Sequence, residues 1–362
     1  MEVELEIIMK PGILAKEKKL QVYGRSPIGE DITLFLSGSG VRFVTDATDV
    51  WIELEAAFDR LDLWIEVFVN DELSQRRSLE KGINRIHLWG GGELRKNREF
   101  KILRTTQGYF EDTVSYIKIK DIEANGEFAE VKEKALFLEF IGDSITSGEG
   151  AALTKEEDWV PAVFSCSNDY AYLTAKELNA DYNVVSQSGF GLYAAWNGDR
   201  TLVIPPHYEK VAGTLGGAEN AAAGAQDDWD FGKRKVDAVI LNLGTNDQFG
   251  LKNLESKKEQ EKFLQDFKVT AVDFLKKIRK NNPDAYVLWA YGMMGADIKD
   301  TIEAAVNEYS MAAGDEKVSL FILPLCTADE LGMRDHPTLK GHIKAAKALS
   351  EELRGVLSSS GD

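Results

Sequence analysis

The 362-residue chain carries 60 acidic and 43 basic side chains, a formal net charge of −17. That balance excludes the basic footprint that nucleic acid or an anionic membrane demands of a partner, and leaves a neutral substrate such as a sugar open. Apolar residues make up 44% and charged residues 28%, the mix of a globular protein with enough chain for two cores. The two cysteines, Cys166 and Cys326, are too few for a disulfide framework or a zinc cage and read as reduced core thiols. The opening MEVELEIIMKPG is acidic where a secretory leader is basic and then apolar. No run approaches the ~18 apolar residues of a membrane helix. The expectation is a cytoplasmic protein.

Residues 1–130 read as all-β. The stretch VWIELEAAF (50–58) alternates Val50, Ile52 and Leu54 against Trp51, Glu53 and Glu55, and the same period runs through 63–70, 83–89, 100–106 and 115–122. Asn70-Asp71, Lys81-Gly82 and Gly90-Gly91-Gly92 punctuate these runs. Short strands at that spacing predict an antiparallel sandwich. The pattern changes across 124–134. LFLEFI (136–141) is nearly continuous apolar sequence, as in a strand buried on both faces. Helical and apolar segments then alternate: helix 168–179, strand 182–187, strand 236–243, helix 258–281, strand 285–291, helix 298–313, strand 318–324 and helix 338–357. This order predicts an α/β domain over 131–362, with helices on both faces of a parallel sheet. Residues 193–235 read as a long irregular connection, rich in Gly, Ala and Trp.

Ligands of such sheets bind beyond the C-terminal ends of the strands. Polar groups stand at four of those ends: Ser144 in IGDSITSGEG, Gly189 and Gly191 in SQSGFG, Asn246 and Asp247 in LGTND, and His336 in RDHPTLKGH. Each alone reads as turn chemistry or an ordinary structural residue. Gly142 to Gly150 lacks the Gly-Lys-Ser/Thr ending of a phosphate loop. His336 and His342 are six residues apart, on different helical faces, so no metal pair is expected. Together the four suit acyl transfer. Ser144 is the nucleophile and His336 the base, with the Ser144 amide, the Gly191 amide and the Asn246 side-chain NH2 as oxyanion donors.

These four blocks, in this order, resemble the signature of the SGNH (GDSL-like) hydrolases over about residues 136–357. In front of them, VYGRSP, ITLFLSGSGVRFVTDATDVWIEL and KILRTTQG resemble the jelly-roll domain of carbohydrate esterase family 2. The resemblance implies a jelly-roll β-sandwich over 1–130 and an SGNH three-layer α/β/α domain over 131–362, with the active site near their junction. It implies Ser144 and His336 as catalytic residues, and Gly191 and Asn246 at the oxyanion. It implies a deacetylase for acetylated xylan or related plant oligosaccharides, with no metal and no cofactor. Members of that family are commonly exported, so an apparently leaderless chain points to imported oligosaccharides. Met333 occupies the place, three residues before the histidine, where the wider superfamily has an Asp. The partner of the His336 Nδ1–H is then a backbone carbonyl, Asp335, or a carboxylate distant in sequence.

The remaining polar residues read more plainly. Asp143 holds the turn, Asp247 the local loop, and Glu149 is a solvated carboxylate at the cleft. His87 is structural, and His207 is a weaker rival for the base. Trp159, Trp196 and Trp229 are the candidates for stacking on a sugar. Two other functions stay open: a lipid or thioester hydrolase using the same site, and a carbohydrate-binding protein whose hydrolase domain is inactive. A homo-oligomer is neither required nor excluded.

Overall fold

The structure, a computed structural model, describes residues 7–91, 95–152 and 159–358. The first six residues of the acidic opening, and Gly92 of the triple-glycine turn, lie outside the described residues. The chain divides into two compact units. One runs through Glu133 and takes in Lys210–Asp228; the other comprises Lys134–Glu209 and the chain from Trp229 onward.

The first unit is a sandwich of two antiparallel sheets. Its strands are β1 (Ile7–Met9), β2 (Leu20–Tyr23), β3 (Ile32–Leu34), β4 (Gly40–Thr45), β5 (Val50–Phe58), β6 (Trp64–Val69), β7 (Glu72–Ser78), β8 (Gly82–Trp89), β9 (Arg98–Arg104), β10 (Ser115–Ala124) and β11 (Phe128–Ala129). One sheet has the order β1-β10-β5-β8, with β3 also on β10; the other has β11-β4-β9-β6-β7, with β2 on β4. The alternation read in β5 is realised: Val50, Ile52, Leu54 and Ala56 are buried and the residues between them are not. Strand β7, ELSQRRS, was not foreseen. It pairs only with β6 at a sheet edge and stays largely exposed, so nothing selects for apolar alternation along it.

A charge lies buried within this unit. Arg104 is fully buried at the end of β9. Its guanidinium donates to the carbonyls of Thr106, Gln107, Leu34 and Ser115 and to Ser115 Oγ, at 2.7–3.1 Å. Burial pulls its pKa down to about 9. Part of the stretch read as an irregular connection also belongs here. Asn220 Oδ1 accepts the Ser115 N–H at 2.9 Å, and Arg25 Nη1 donates to Lys210 O at 2.9 Å. Buried backbone polar groups need partners, and these loops supply them.

The second unit is a three-layer α/β fold. Its sheet is wholly parallel, in the order β13-β12-β14-β15-β16, with β12 at Leu136–Gly142, β13 at Ala180–Ser186, β14 at Ala238–Asn242, β15 at Tyr286–Gly292 and β16 at Val318–Leu323. Helices Tyr170–Glu177, Lys257–Asn281, Lys299–Ala313 and Leu339–Ser358 flank it. The longest begins at a capping box, Ser256 with Glu259, and buries Phe263, Phe267, Phe274 and Ile278 along one face. No helix among the described residues is long and apolar enough to cross a membrane.

The strand order decides where a site can form. Strand β12 has β13 on one side and β14 on the other. The chain leaves β12 in one direction and later returns on the other side, which opens a crevice at the strand's C-terminal end. The segments that follow β12, β13 and β14 carry Ser144, Gly189 and Asn246 respectively.

Candidate active site

Ser144 opens a one-turn helix, Ser144–Ser147, directly after β12. Asp143 caps it, with Oδ1 accepting the Ile145 N–H at 3.0 Å. The turn ends on Gly148 and Gly150, both with φ near +80°. A side chain at Gly150 is excluded twice over. Its φ is left-handed, and a Cβ there would lie 2.7 Å from the Cβ of His336. The loop bearing His336 thus rests directly on the turn bearing Ser144. Among the described residues Ser144 Oγ accepts and donates no hydrogen bond.

His336 is presented by a tight loop. Leu331 and Pro337 bridge its ends, and Gly332 N–H donates to His336 O at 2.9 Å. Inside the loop Arg334 and Asp335 both take positive φ, 52° and 60°. That reversal brings the Arg334 carbonyl round to the ring, where His336 Nδ1–H donates to it at 2.9 Å. Because a carbonyl can only accept, the bond places a proton on Nδ1, and in the neutral ring the lone pair is then on Nε2. Of the three partners considered for Nδ1, the structure shows the backbone carbonyl. Asp335 is exposed, and Met333 is buried under the loop.

Asn246 and Asp247 follow β14 at the start of helix Thr245–Lys252. Asn246 Nδ2 donates to Phe190 O at 2.9 Å and, less closely, to Asp143 Oδ2 at 3.2 Å. Asp247 is fully buried and accepts three successive backbone N–H groups, from Leu192, Tyr193 and Ala194, at 2.8–2.9 Å. It therefore holds the shape of the loop after β13, as expected. Burial raises both carboxyls: Asp143 to about 7, opposed by the Ile145 N–H and assisted by the charges of Asp247 and Glu149; Asp247 to about 7, opposed by the N–H groups of Leu192 and Ala194.

The loop after β13 corrects one expectation. Gly191 N–H donates to Leu202 O at 3.1 Å, so this amide is already engaged in backbone pairing and is not a free oxyanion donor. A Cβ at 191 would also meet Ala194 O at 1.8 Å, so the glycine is there for close packing of the loop. The amide of Gly189 has no acceptor among the described residues. Beside it stands Trp196, 58% exposed; a methyl placed at 189 would touch its Cδ1 at 3.5 Å. Trp196, one of the three candidate tryptophans, is set against this loop.

A second expectation is overturned at Glu149. It reads as a solvated carboxylate but is only 3% exposed. Its Oε2 lies 3.8 Å from His336 Nε2, and its Oε1 pairs with Arg334 Nη1 at 2.8 Å. The other histidines are engaged elsewhere. His342 is buried, accepts the Tyr170 N–H on Nδ1 at 3.0 Å, and is pushed by burial down to about 3. His207 packs edge-on against Phe190, and His87 lies in the sandwich, stacked on Trp51 and bonded to Asp49 at 2.7 Å. Cys166 is buried and Cys326 half-buried, both as free thiols.

A family model described as the GDSL-like lipase/acylhydrolase family matches residues 140–342, the span that holds Ser144, Glu149, Gly189, Asn246 and His336. The chain belongs to that family. Within it the GDSL-like chain is similar to an acetyl xylan esterase from the rumen bacterium Butyrivibrio proteoclasticus. The two are 33% identical, with a TM-score of 0.94, over 99% of this chain and 100% of that one. It is 23% identical to an acetylxylan esterase / glucomannan deacetylase of Cellvibrio japonicus, over 95% of this chain and 91% of the relative. A cellulase/esterase of Acetivibrio thermocellus is 30% identical over 61% of this chain; the match spans only 25% of that larger relative.

Two features of this GDSL-like site escaped the sequence. The burial of Glu149 follows from the docking of the 331–337 loop, some 180 residues away, and carries no local signal. Gly189 stood beside Gly191 in SQSGFG without being read as a donor, and the difference between their amides depends on the position of Leu202.

Proposed function

We propose that the chain is a carbohydrate O-acetyl esterase that removes acetyl groups from acetylated xylan or related plant oligosaccharides. The observation that carries this reading is the imidazole of His336, oriented by the Arg334 carbonyl at Nδ1, on a loop packed against the Ser144 turn at the sheet's crevice. The whole-length likeness to an acetyl xylan esterase supports the choice of ester.

The steps balance as follows. Ser144 Oγ bonds to the acetyl carbonyl carbon while its proton passes to His336 Nε2, and the carbonyl π pair moves onto oxygen. The Gly189 and Ser144 amides and Asn246 Nδ2 then donate to that oxyanion, Asn246 turning its longer bond away from Asp143. Gly189 takes the place first read for Gly191. As the carbonyl re-forms, the bond to the sugar oxygen breaks and His336 returns the proton to it. Water repeats the sequence on the acetyl-serine, releasing acetate. Trp196 offers an exposed indole beside the oxyanion loop on which a sugar ring can stack.

Mass-spectrometric profiling of acetylated oligosaccharides tests this directly. The expected result is loss of acetyl groups, one 42-Da step at a time by general ester chemistry. With nitrophenyl esters the rate is expected to fall from acetate to longer acyl chains; a rate that rises beyond butyrate would favour the lipid or thioester hydrolase instead. Sugar binding with no hydrolysis of any acetyl ester would favour the inactive binding protein.

A further inference from the structure

A base needs something to stabilise its imidazolium, and the Arg334 carbonyl presents only a dipole to Nδ1. We propose that Glu149 is a positioning residue that supplies the missing negative charge, acting on His336 from the Nε2 side rather than from Nδ1. This rests on the assignment of Ser144 and His336 as nucleophile and base.

The geometry is built for such a role. Glu149 sits in the Ser144 turn, its N–H bonded to the Ser144 carbonyl at 3.0 Å, between two glycines whose positive φ makes the turn tight. Its carboxylate is almost entirely removed from water and lies 3.8 Å from Nε2. At that distance it is too far to compete with Ser144 for the Nε2 hydrogen bond but close enough for direct attraction to a cation in a poorly screened site. When the proton leaves Ser144, positive charge appears on the ring and the attraction switches on. It is therefore stronger in the transition state than in the ground state, which is the condition for raising the rate.

Other charged and titratable groups lie around the Glu149–His336 pair. Arg334 pairs with Glu149 at 2.8 Å and opposes the cation, but its side chain is 56% exposed and screened by water. Asp335 is exposed on the same loop. His342, from helix Leu339–Ser358, is held neutral by burial. Asp143 is near enough to Glu149 for the charge of that carboxylate to help raise its pKa.

The test is the pH profile of kcat/KM on nitrophenyl acetate for Glu149→Gln, Glu149→Asp and Arg334→Gln, with Ser144→Ala as control. Glu149→Gln is expected to lower kcat/KM ~10- to 100-fold with KM nearly unchanged. It should also move the acid limb to lower pH by about one unit, because the ring loses the charge that favours its protonation. Glu149→Asp is expected to restore part of both effects. Arg334→Gln, which keeps the backbone carbonyl, is expected to move the limb the opposite way. This second variant decides the matter if Glu149→Gln does not fold. An unmoved limb in either variant, or a loss in Glu149→Gln that lies wholly in KM, overturns the proposal; the latter would make Glu149 a contact to the sugar. Turnover surviving in Ser144→Ala would instead overturn the underlying assignment.

Discussion

Each unit of this protein buries a charge, and the two are used differently. In the sandwich, Arg104 gathers four carbonyls and a hydroxyl and touches no reactive group. In the parallel-sheet unit, Asp247 gathers three backbone N–H groups and so shapes the loop that holds the Gly189 amide. Burial pushes both toward neutrality, Arg104 down to about 9 and Asp247 up to about 7. The arginine stays within reach of its charged form at neutral pH, whereas the aspartate is brought toward the neutral range. The charge that serves only folding is the less exposed to changes of pH around neutrality, and the one that shapes the loop after β13 is the more exposed.

The sharpest break of this comparison is chemical. Ser144→Ala is expected to lower kcat by ~10⁵–10⁶, and Asn246→Ala by ~10²–10³ if the amide meets the oxyanion, with circular dichroism and urea midpoints close to those of the parent. The mirror-image change is Arg104→Met. It leaves four carbonyls buried without their donor, each worth about 1–3 kcal/mol when unsatisfied, so a loss of about 3 kcal/mol or more is expected in urea unfolding. In whatever fraction remains folded, kcat should be that of the parent. A stable Arg104→Met protein with damaged kcat would dissolve the distinction between the units.

The pH dependence sharpens it. Asp143 and Asp247 have folded pKa values of about 7 against an ordinary 3.8. Between those values the folded chain holds protons that the unfolded chain has released. Their stabilising effect is full below about pH 4 and is lost as pH rises through about 7. Urea midpoints should therefore fall from pH 5 to pH 8, and Asp143→Asn should remove roughly half of that slope, since the two shifts are alike. A slope unchanged in Asp143→Asn would place the linkage elsewhere. The smallest effect expected is that of Asp335→Asn, which keeps a residue tolerant of positive φ. With the Arg334 carbonyl on Nδ1, kcat/KM should drop less than ~10-fold, whereas loss of the acid of a triad costs up to ~10⁴.

Much of this was legible in the chain alone, because period-two alternation and continuous apolar runs report burial on one face or two. Strand β5 matched residue for residue, and the run at 136–141 became β12, one residue longer. Short or polar strands such as β3 and β7 gave no such signal. The placement of Ser144, Asn246 and His336 beyond the sheet's C-terminal ends was legible because each follows an apolar run that became a strand.

What the sequence determined by itself was therefore the inventory: a sandwich followed by an α/β sheet, with a serine, an asparagine and a histidine at strand ends. What only the tertiary structure decided was the pairing of groups far apart in the chain. The Arg334 carbonyl reaches His336 Nδ1 because two residues take positive φ, a choice the neighbouring sequence does not force. Gly189 rather than Gly191 keeps a free amide because Leu202 folds back onto the latter. Glu149 is buried because a loop from the other end of the unit closes over it. Periodicity is a local property of the chain. Desolvation and hydrogen-bond partnership are set by whatever else arrives at the same place.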